Sequence, residues 1–138
     1  MRSNVSDWEA DEKTQIVLVA AKEDLLDNLK DALAGTQIAL LHAQTWQQAI
    51  ALLESLKSEI SLAIVELELS GGLDLIGQLT RPPRKPVKLI ATTSIYSRSF
   101  LEKVKELGVD AVVPEETLPK AWRETVETVL ANGKPLSP

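Results

Sequence analysis

Five short apolar runs, each followed by a helical pattern, constrain the fold of this chain more than any other feature. After each run, apolar residues recur at spacings of three and four, as in helices that cover a sheet. Strands that are apolar throughout are typical of parallel sheets buried on both faces. The pattern therefore predicts an α/β fold, a doubly wound, five-stranded parallel sheet within a three-layer sandwich. The predicted strands lie in residues 16–19, 38–41, 62–65, 87–92 and 109–113.

The residues that flank the helical patterns support this prediction. Thr45 and either Ser97 or Ser99 are suited to cap helix N-termini, and Gly35 and Gly108 are suited to end helices in the left-handed conformation. Short links and right-handed crossovers favour the strand order 2-1-3-4-5 of flavodoxin-like folds. In such sheets, ligands bind at the carboxyl ends of the strands, where the strand order reverses.

The polar ends of the chain set the predicted domain boundaries. Residues 1–14 are polar and mixed in charge, so we expect a flexible N-terminal tail. Residues 15–131 contain all the apolar runs and form the predicted domain, while the Gly- and Pro-containing residues 132–138 form a linker stub. A chain of 138 residues has the length of one domain.

Composition argues against several classes of function. The net charge of −5 disfavours direct nucleic-acid binding, which needs clustered Lys and Arg. The absence of cysteine excludes disulfides and thiolate metal sites, and His42 has no second His or Cys for a metal, so packing is its expected role. No apolar run approaches the roughly 18 residues of a membrane span, and the N-terminus lacks a signal-peptide pattern. We expect a cytoplasmic protein that contacts neither membrane nor nucleic acid.

The order of the motifs resembles the receiver domain of two-component response regulators over about residues 15–131. This resemblance implies a CheY-like fold and a role in phosphorelay signal transduction through protein partners. It is carried by segments in the family's order, namely residues 15–19, residues 62–66 followed by Ser70-Gly71-Gly72, residues 87–94, and residues 100–103 leading into 108–111.

The residues that the family's chemistry requires are mostly replaced. Receivers need a phosphoacceptor Asp, two more acidic residues that hold Mg²⁺, a hydroxyl, and a Lys that neutralises the phosphoryl group. Only the hydroxyl is retained, at Thr93 or, in a shifted register, at Thr92. The resemblance therefore implies a degenerate pseudo-receiver that is not an enzyme, is not phosphorylated, and needs no metal or cofactor. The replaced positions are Glu66 for the phosphoacceptor, Ala20 and Ala21 for the acidic pair, and Glu115 for the Lys.

Lys22 is the candidate that most directly compensates for these losses. Its ammonium group is placed to form a salt bridge with Glu66 and so replace both the ion and the phosphate. Glu66 itself has two interpretations, as a mimic of an acylated Asp or as a solvated carboxylate at a strand end.

An inert pocket would leave the surface to carry the function. In receivers, helix 4, strand 5 and helix 5 form the face that docks partners or a second copy, and here that face carries Arg98, Lys103, Asp110 and Arg123. The expected partners are a sensor kinase, an output domain or another regulator, with a homodimer through the same face. The alternative is an ordinary solvated surface.

The sequence is compatible with three other functions. The first is a phosphorylatable receiver that uses atypical acidic residues such as Glu23, Asp24 and Glu66. The second is a flavodoxin-like small-molecule binder, which is disfavoured because residues 20–23 are neither Gly-rich nor hydroxyl-rich. The third is the receiver portion of a DNA-binding response regulator.

Overall fold

The computed structural model describes residues 14–55, 60–69, 71, 74–77, 88–95 and 97–132. Strands and helices alternate along the described chain, as the sequence predicts. The strands are β1 (Thr14–Val19), β2 (Ile38–Ala43), β3 (Ile60–Glu66), β4 (Lys88–Thr93) and β5 (Ala111–Pro114). The helices are α1 (Glu23–Leu33), α2 (Trp46–Ser55), the helical residues 74–77, here called α3, α4 (Arg98–Glu106) and α5 (Pro119–Asn132).

The described chain begins in β1 and ends in α5. Thr14 already belongs to β1, and α5 extends to Asn132. Most of the predicted N-terminal tail and of the predicted linker, residues 1–13 and 133–138, lie outside the described residues.

The sheet has the predicted topology. Its five strands are all parallel and are ordered β2-β1-β3-β4-β5, which confirms the flavodoxin-like arrangement. At the carboxyl edge, Val19 of β1 pairs with Val65 of β3, and Glu66 pairs with Thr92 of β4. The strand order reverses at β1 and β3, so the loops that follow these two strands lead to opposite faces and leave a cleft between them.

Alternating side chains divide the core into two halves. Ile16 and Leu18 of β1 pack with α1 and α5, whereas Val17 and Val19 pack with α2, α3 and α4. Because both faces of the sheet are covered, the central strands are apolar on both sides, and this produces the continuous apolar runs in the sequence.

The helix ends follow the expected chemistry. The hydroxyls of Thr45 and Ser97 each accept a hydrogen bond from the backbone N–H three residues later, at 3.1 and 3.2 Å. Ser97, and not Ser99, is therefore the cap of α4. Gly35 and Gly108 adopt φ values of 82° and 101°, the left-handed region that favours glycine.

The last helix begins later than its apolar pattern suggests. Leu118 lies four residues before Trp122, a spacing that predicts a place on the buried stripe of α5, but it precedes Pro119, the first helical residue, and is 73% exposed. Trp122, Val126 and Val129 form the buried stripe instead. Across the described part of the chain, no helix combines the length and apolarity needed to cross a bilayer.

Candidate functional site

A buried carboxylate lies at the carboxyl end of the central strand. Glu66 is the last residue of β3 and is only 2% exposed. Its Oε1 accepts a hydrogen bond from the backbone N–H of Ala21 at 3.0 Å, so the carboxylate is held against the loop that follows β1. Ala20 is fully buried beneath this loop and Ala21 is exposed. The sheet therefore brings together the predicted phosphoacceptor and acidic-pair positions.

Lys22 lies between two carboxylates at this edge. Its Nζ is 3.4 Å from Glu66 Oε2 and donates a hydrogen bond of 2.8 Å to Glu115 Oε1. Glu115 directly follows β5, and its backbone N–H donates to the carbonyl of Thr93 at 3.1 Å. The shorter of the two contacts, to Glu115, was not expected. A signal for it was present in the sequence, because a carboxylate at the family's Lys position needs a cation from elsewhere.

The environment of the bridge explains its electrostatics. The Lys22 side chain is 45% exposed, whereas the side chain of Glu115 is 14% exposed. The hydrogen bond to Glu115 is the main cause that raises the pKa of Lys22; desolvation opposes it, and the charges of Glu115 and Glu66 reinforce it. The second oxygen of Glu115, Oε2, is buried and has no hydrogen-bond partner among the described residues. Water hydrates the Lys22 ammonium but reaches the two carboxylates poorly, so the carboxylates need the ammonium as their counter-ion.

The two candidate hydroxyls have different environments. Thr93 Oγ1 donates a hydrogen bond of 2.5 Å to Glu68 Oε2 and accepts one of 2.9 Å from the N–H of Ile95. Thr92 Oγ1 is buried without a partner in the described part of the chain. Glu68 is not among the predicted site residues, because a carboxylate in the turn after a strand is ordinary until its spatial neighbours are known.

Three carboxylates could in principle hold a cation at this edge. Glu66, Glu68 and Glu115 each offer an oxygen within 4.8 Å of the others, the sole group of this kind in the ranges that the structure describes. Glu23 and Asp24 are exposed in the first turn of α1 and are not members of this group. The acidic trio expected for an atypical phosphorylatable receiver is therefore not assembled from those residues.

The residues at this edge do not fit the Mg²⁺ site of receiver chemistry. Ala20 and Ala21 supply no side-chain oxygen, and Mg²⁺ prefers several oxygen ligands in octahedral geometry. The ammonium of Lys22 already compensates Glu66 and Glu115. A divalent ion would have to displace that ammonium or share the two carboxylates with it.

His42 also reaches this end of the sheet. Its Nε2 is 2.8 Å from the carbonyl oxygen of Ala20, and the N–H of Ala20 donates to the carbonyl of Ala43 at 3.0 Å. These contacts fix the backbone after β1 against the edge strand β2. His42 therefore has a structural contact, in line with its expected role in packing.

The four residues of the expected docking face differ in their contacts. Arg98 and Arg123 each form an ion pair with the glutamate four residues later on their own helix, at 3.8 and 3.3 Å. Lys103 is exposed on α4. Asp110 is held internally, because its Oδ2 accepts the N–H of Leu89 at 2.8 Å and its own N–H donates to the Leu89 carbonyl at 2.7 Å. Exposed i,i+4 pairs are weak and leave Arg98 and Arg123 accessible to a partner.

Comparison with known proteins shows a likeness in structure. No protein-family model matches the chain, and a search of curated proteins finds no match. A response regulator from Thermotoga maritima superposes with a TM-score of 0.77 at 16% identity, over 87% of this chain and 99% of that chain. A two-component response regulator from Clostridium difficile has a TM-score of 0.76 at 19% identity, over 87% of this chain and 98% of that chain. A LuxR family DNA-binding response regulator from Silicibacter pomeroyi has a TM-score of 0.72 at 20% identity, over 91% of this chain and 97% of that chain.

Proposed function

We infer that this chain, whose fold is that of response-regulator receiver domains, is a pseudo-receiver that signals by binding other proteins and is not switched by phosphorylation. One observation carries the inference. The ammonium of Lys22 lies between Glu66 and Glu115, at the edge of the sheet where an active receiver would hold its metal ion and phosphoryl group.

The charges at this site support the inference. Phosphoryl transfer to a carboxylate needs cations that neutralise the phosphoryl oxygens as the transition state forms. Here the position of the neutralising Lys holds Glu115, and the metal-binding positions hold Ala20 and Ala21. A phosphoryl group on Glu66 would add negative charge to a group of three carboxylates that Lys22 only partly compensates. The site favours a resident cation over an incoming anion.

Protein contacts are the remaining means of control. We expect the surface of α4, β5 and α5, with Arg98, Lys103 and Arg123 accessible, to dock a sensor kinase, an output domain or another regulator, or a second copy of this chain. A net charge of −5 argues against direct contact with nucleic acid. In this proposal the protein works in the cytoplasm and turns over no substrate.

A phosphorylation assay tests the inference. The full chain is incubated with Mg²⁺ and a small phosphodonor such as acetyl phosphate, and its intact mass is followed, with an active receiver as the check on the reagents. We expect the mass to stay unchanged. A variant that combines Ala20→Asp, Ala21→Asp, Glu66→Asp and Glu115→Lys reinstates the family's residues and should gain phosphoryl mass. An acid-labile phosphate recovered on Glu66 of the unmodified protein would show that the inference is wrong.

A phosphorylatable receiver with atypical acidic residues is the second candidate. The observation that favours it is the group formed by Glu66, Glu68 and Glu115, whose oxygens lie within 4.8 Å of one another. Isothermal titration with Mg²⁺, followed by beryllofluoride as a phosphate mimic, separates the two functions. Saturable binding of both ligands would favour this second function, whereas the pseudo-receiver should bind neither. A Lys22→Ala variant that gains Mg²⁺ binding would identify the ammonium as the group that keeps the ion out.

A further inference from the structure

We propose that Glu68 is an internal clasp that fixes Ser94 and Ile95, at the start of the connection from β4 to α4, and thereby sets the surface presented there. The proposal deepens the proposed function and rests on it in one respect. If no phosphoryl group engages the Thr93 hydroxyl, another acceptor has to take its hydrogen bond, and Glu68 is the carboxylate that does so.

One oxygen of Glu68 accepts several donors from the start of the loop. Glu68 Oε2 lies 2.5 Å from Thr93 Oγ1, 3.2 Å from the N–H nitrogen of Ser94 and 3.4 Å from Ser94 Oγ. Thr93 Oγ1 in turn accepts the N–H of Ile95 at 2.9 Å. The carboxylate is thus linked to three successive residues, and hydrogen bonds to an ionised acceptor are the stronger kind.

Glu68 is carried by a turn that is itself held in place. The N–H of Leu67 donates to the Thr92 carbonyl at 2.9 Å, and the N–H of Leu69 donates to the Glu66 carbonyl at 3.1 Å. Farther along, Gly71 lies so close to Trp46 that a Cβ at this position would overlap the Trp46 ring. Because the backbone around Glu68 is already ordered, the clasp requires little further ordering of the chain.

The hydroxyl of Thr93 is buried, and Glu68 satisfies its hydrogen bond. Thr93 is only 1% exposed, so its hydroxyl has little access to water. A buried donor without an acceptor is costly. Glu68 is exposed and would otherwise be hydrated. Its hydrogen bond to Thr93 is favoured because the buried hydroxyl would lack an acceptor without it.

The clasp connects the candidate site with the expected docking face. Glu68 follows Glu66 by two residues, while Ile95 is 45% exposed in the loop that leads to the Ser97 cap of α4. Release of the clasp would free the loop that positions Ile95 and Arg98. The side chain of Glu68 is thus the physical link through which a change at the end of β3 reaches the start of α4.

Amide hydrogen exchange of the full chain, followed residue by residue by NMR, tests the clasp. In Glu68→Ala, the amides of Ser94 and Ile95 should exchange about tenfold faster, the change in opening equilibrium expected for one charge-assisted hydrogen bond. Thr93→Val should accelerate exchange at Ile95 without removing Glu68. Glu124→Ala, which removes an exposed carboxylate on α5, is the matched control.

The outcomes separate the clasp from a general loss of stability and from the proposed function. Exchange at Ala34, whose N–H donates to the carbonyl of Asp31 at the end of α1, should be the same in all variants, so that acceleration at Ser94 and Ile95 is local. Unchanged exchange of these two amides in Glu68→Ala, or equal acceleration in Glu124→Ala, would overturn the clasp and leave a non-phosphorylated receiver intact. Phosphorylation of the unmodified chain, with fast exchange in Glu68→Ala, would instead retain the clasp and reject the pseudo-receiver.

Discussion

Replacing Lys22 with methionine tests the bridge at the sheet edge most directly. Methionine retains much of the apolar stem and removes only the ammonium group. The change leaves Glu66, which is 2% exposed, and Glu115, which is 14% exposed, facing each other without the cation between them. The stability of the folded protein should therefore fall.

The size of the effect follows from the burial of the three groups. Removing one partner of a fully buried ion pair costs about 3–5 kcal/mol, whereas exposed pairs contribute at most about 1 kcal/mol. The Lys22 side chain is 45% exposed, so water screens the pair substantially. We expect a loss of about 1–2 kcal/mol in the free energy of unfolding, or about 3–7 °C in Tm for a domain of this size.

Thermal and urea unfolding at neutral pH and low salt measure this loss. Lys30→Met, on the exposed side of α1, is the matched control and should change stability by less than about 0.5 kcal/mol. Raising the salt to about 1 M, where the Debye length is about 3 Å, should reduce the difference for Lys22. Adding Glu115→Gln to the Lys22 variant should restore part of the loss, since one unpaired charge is removed.

The pH dependence has a definite sign. The pKa of Lys22 is raised above its ordinary value of 10.5, chiefly by the hydrogen bond to Glu115. The stability that Lys22 contributes is then fully present below pH 10.5 and is lost as the pH rises through the higher folded-state pKa. The difference in Tm between the unmodified chain and the methionine variant should stay constant from pH 7 to about pH 9.5. A Tm unchanged by Lys22→Met, or a Tm difference that vanishes between pH 7 and about pH 9.5, would refute this account of the bridge.

Two further substitutions test the loops around the site. Gly71→Ala should lower the free energy of unfolding, measured by urea titration, by about 1–3 kcal/mol, because Gly71 has φ +82° and abuts Trp46. The control is Gly77→Ala, where the added Cβ has no neighbouring side chain within 4 Å. This control should be neutral or stabilising in the same titration. Ser97→Ala should cost about 1 kcal/mol by removing the cap of α4, and the control Ser99→Ala should change the urea midpoint far less.

Much of the fold follows from local properties of the sequence. Burial on both faces forces a central parallel strand to be apolar throughout, so the runs in β1 and β3 predict their own structure. Left-handed φ angles favour glycine, so Gly35 and Gly108 indicate helix ends. Leu118 shows the limit of such patterns, because apolar spacing cannot specify the residue at which a helix begins.

The candidate site depends on residues that are distant in the sequence. That Ala20 and Ala21 lack metal-binding oxygens, and that a carboxylate replaces the expected Lys, can be read from the sequence, because these are properties of residue type. The contact of Lys22 with Glu115, 93 residues away, and the hydrogen bond from Thr93 to a carboxylate after β3 are visible only in the folded chain. The reason is geometric. Parallel strands bring their carboxyl ends to one edge, and the partner that each side chain meets there depends on strand order and loop conformation, which residue spacing does not encode.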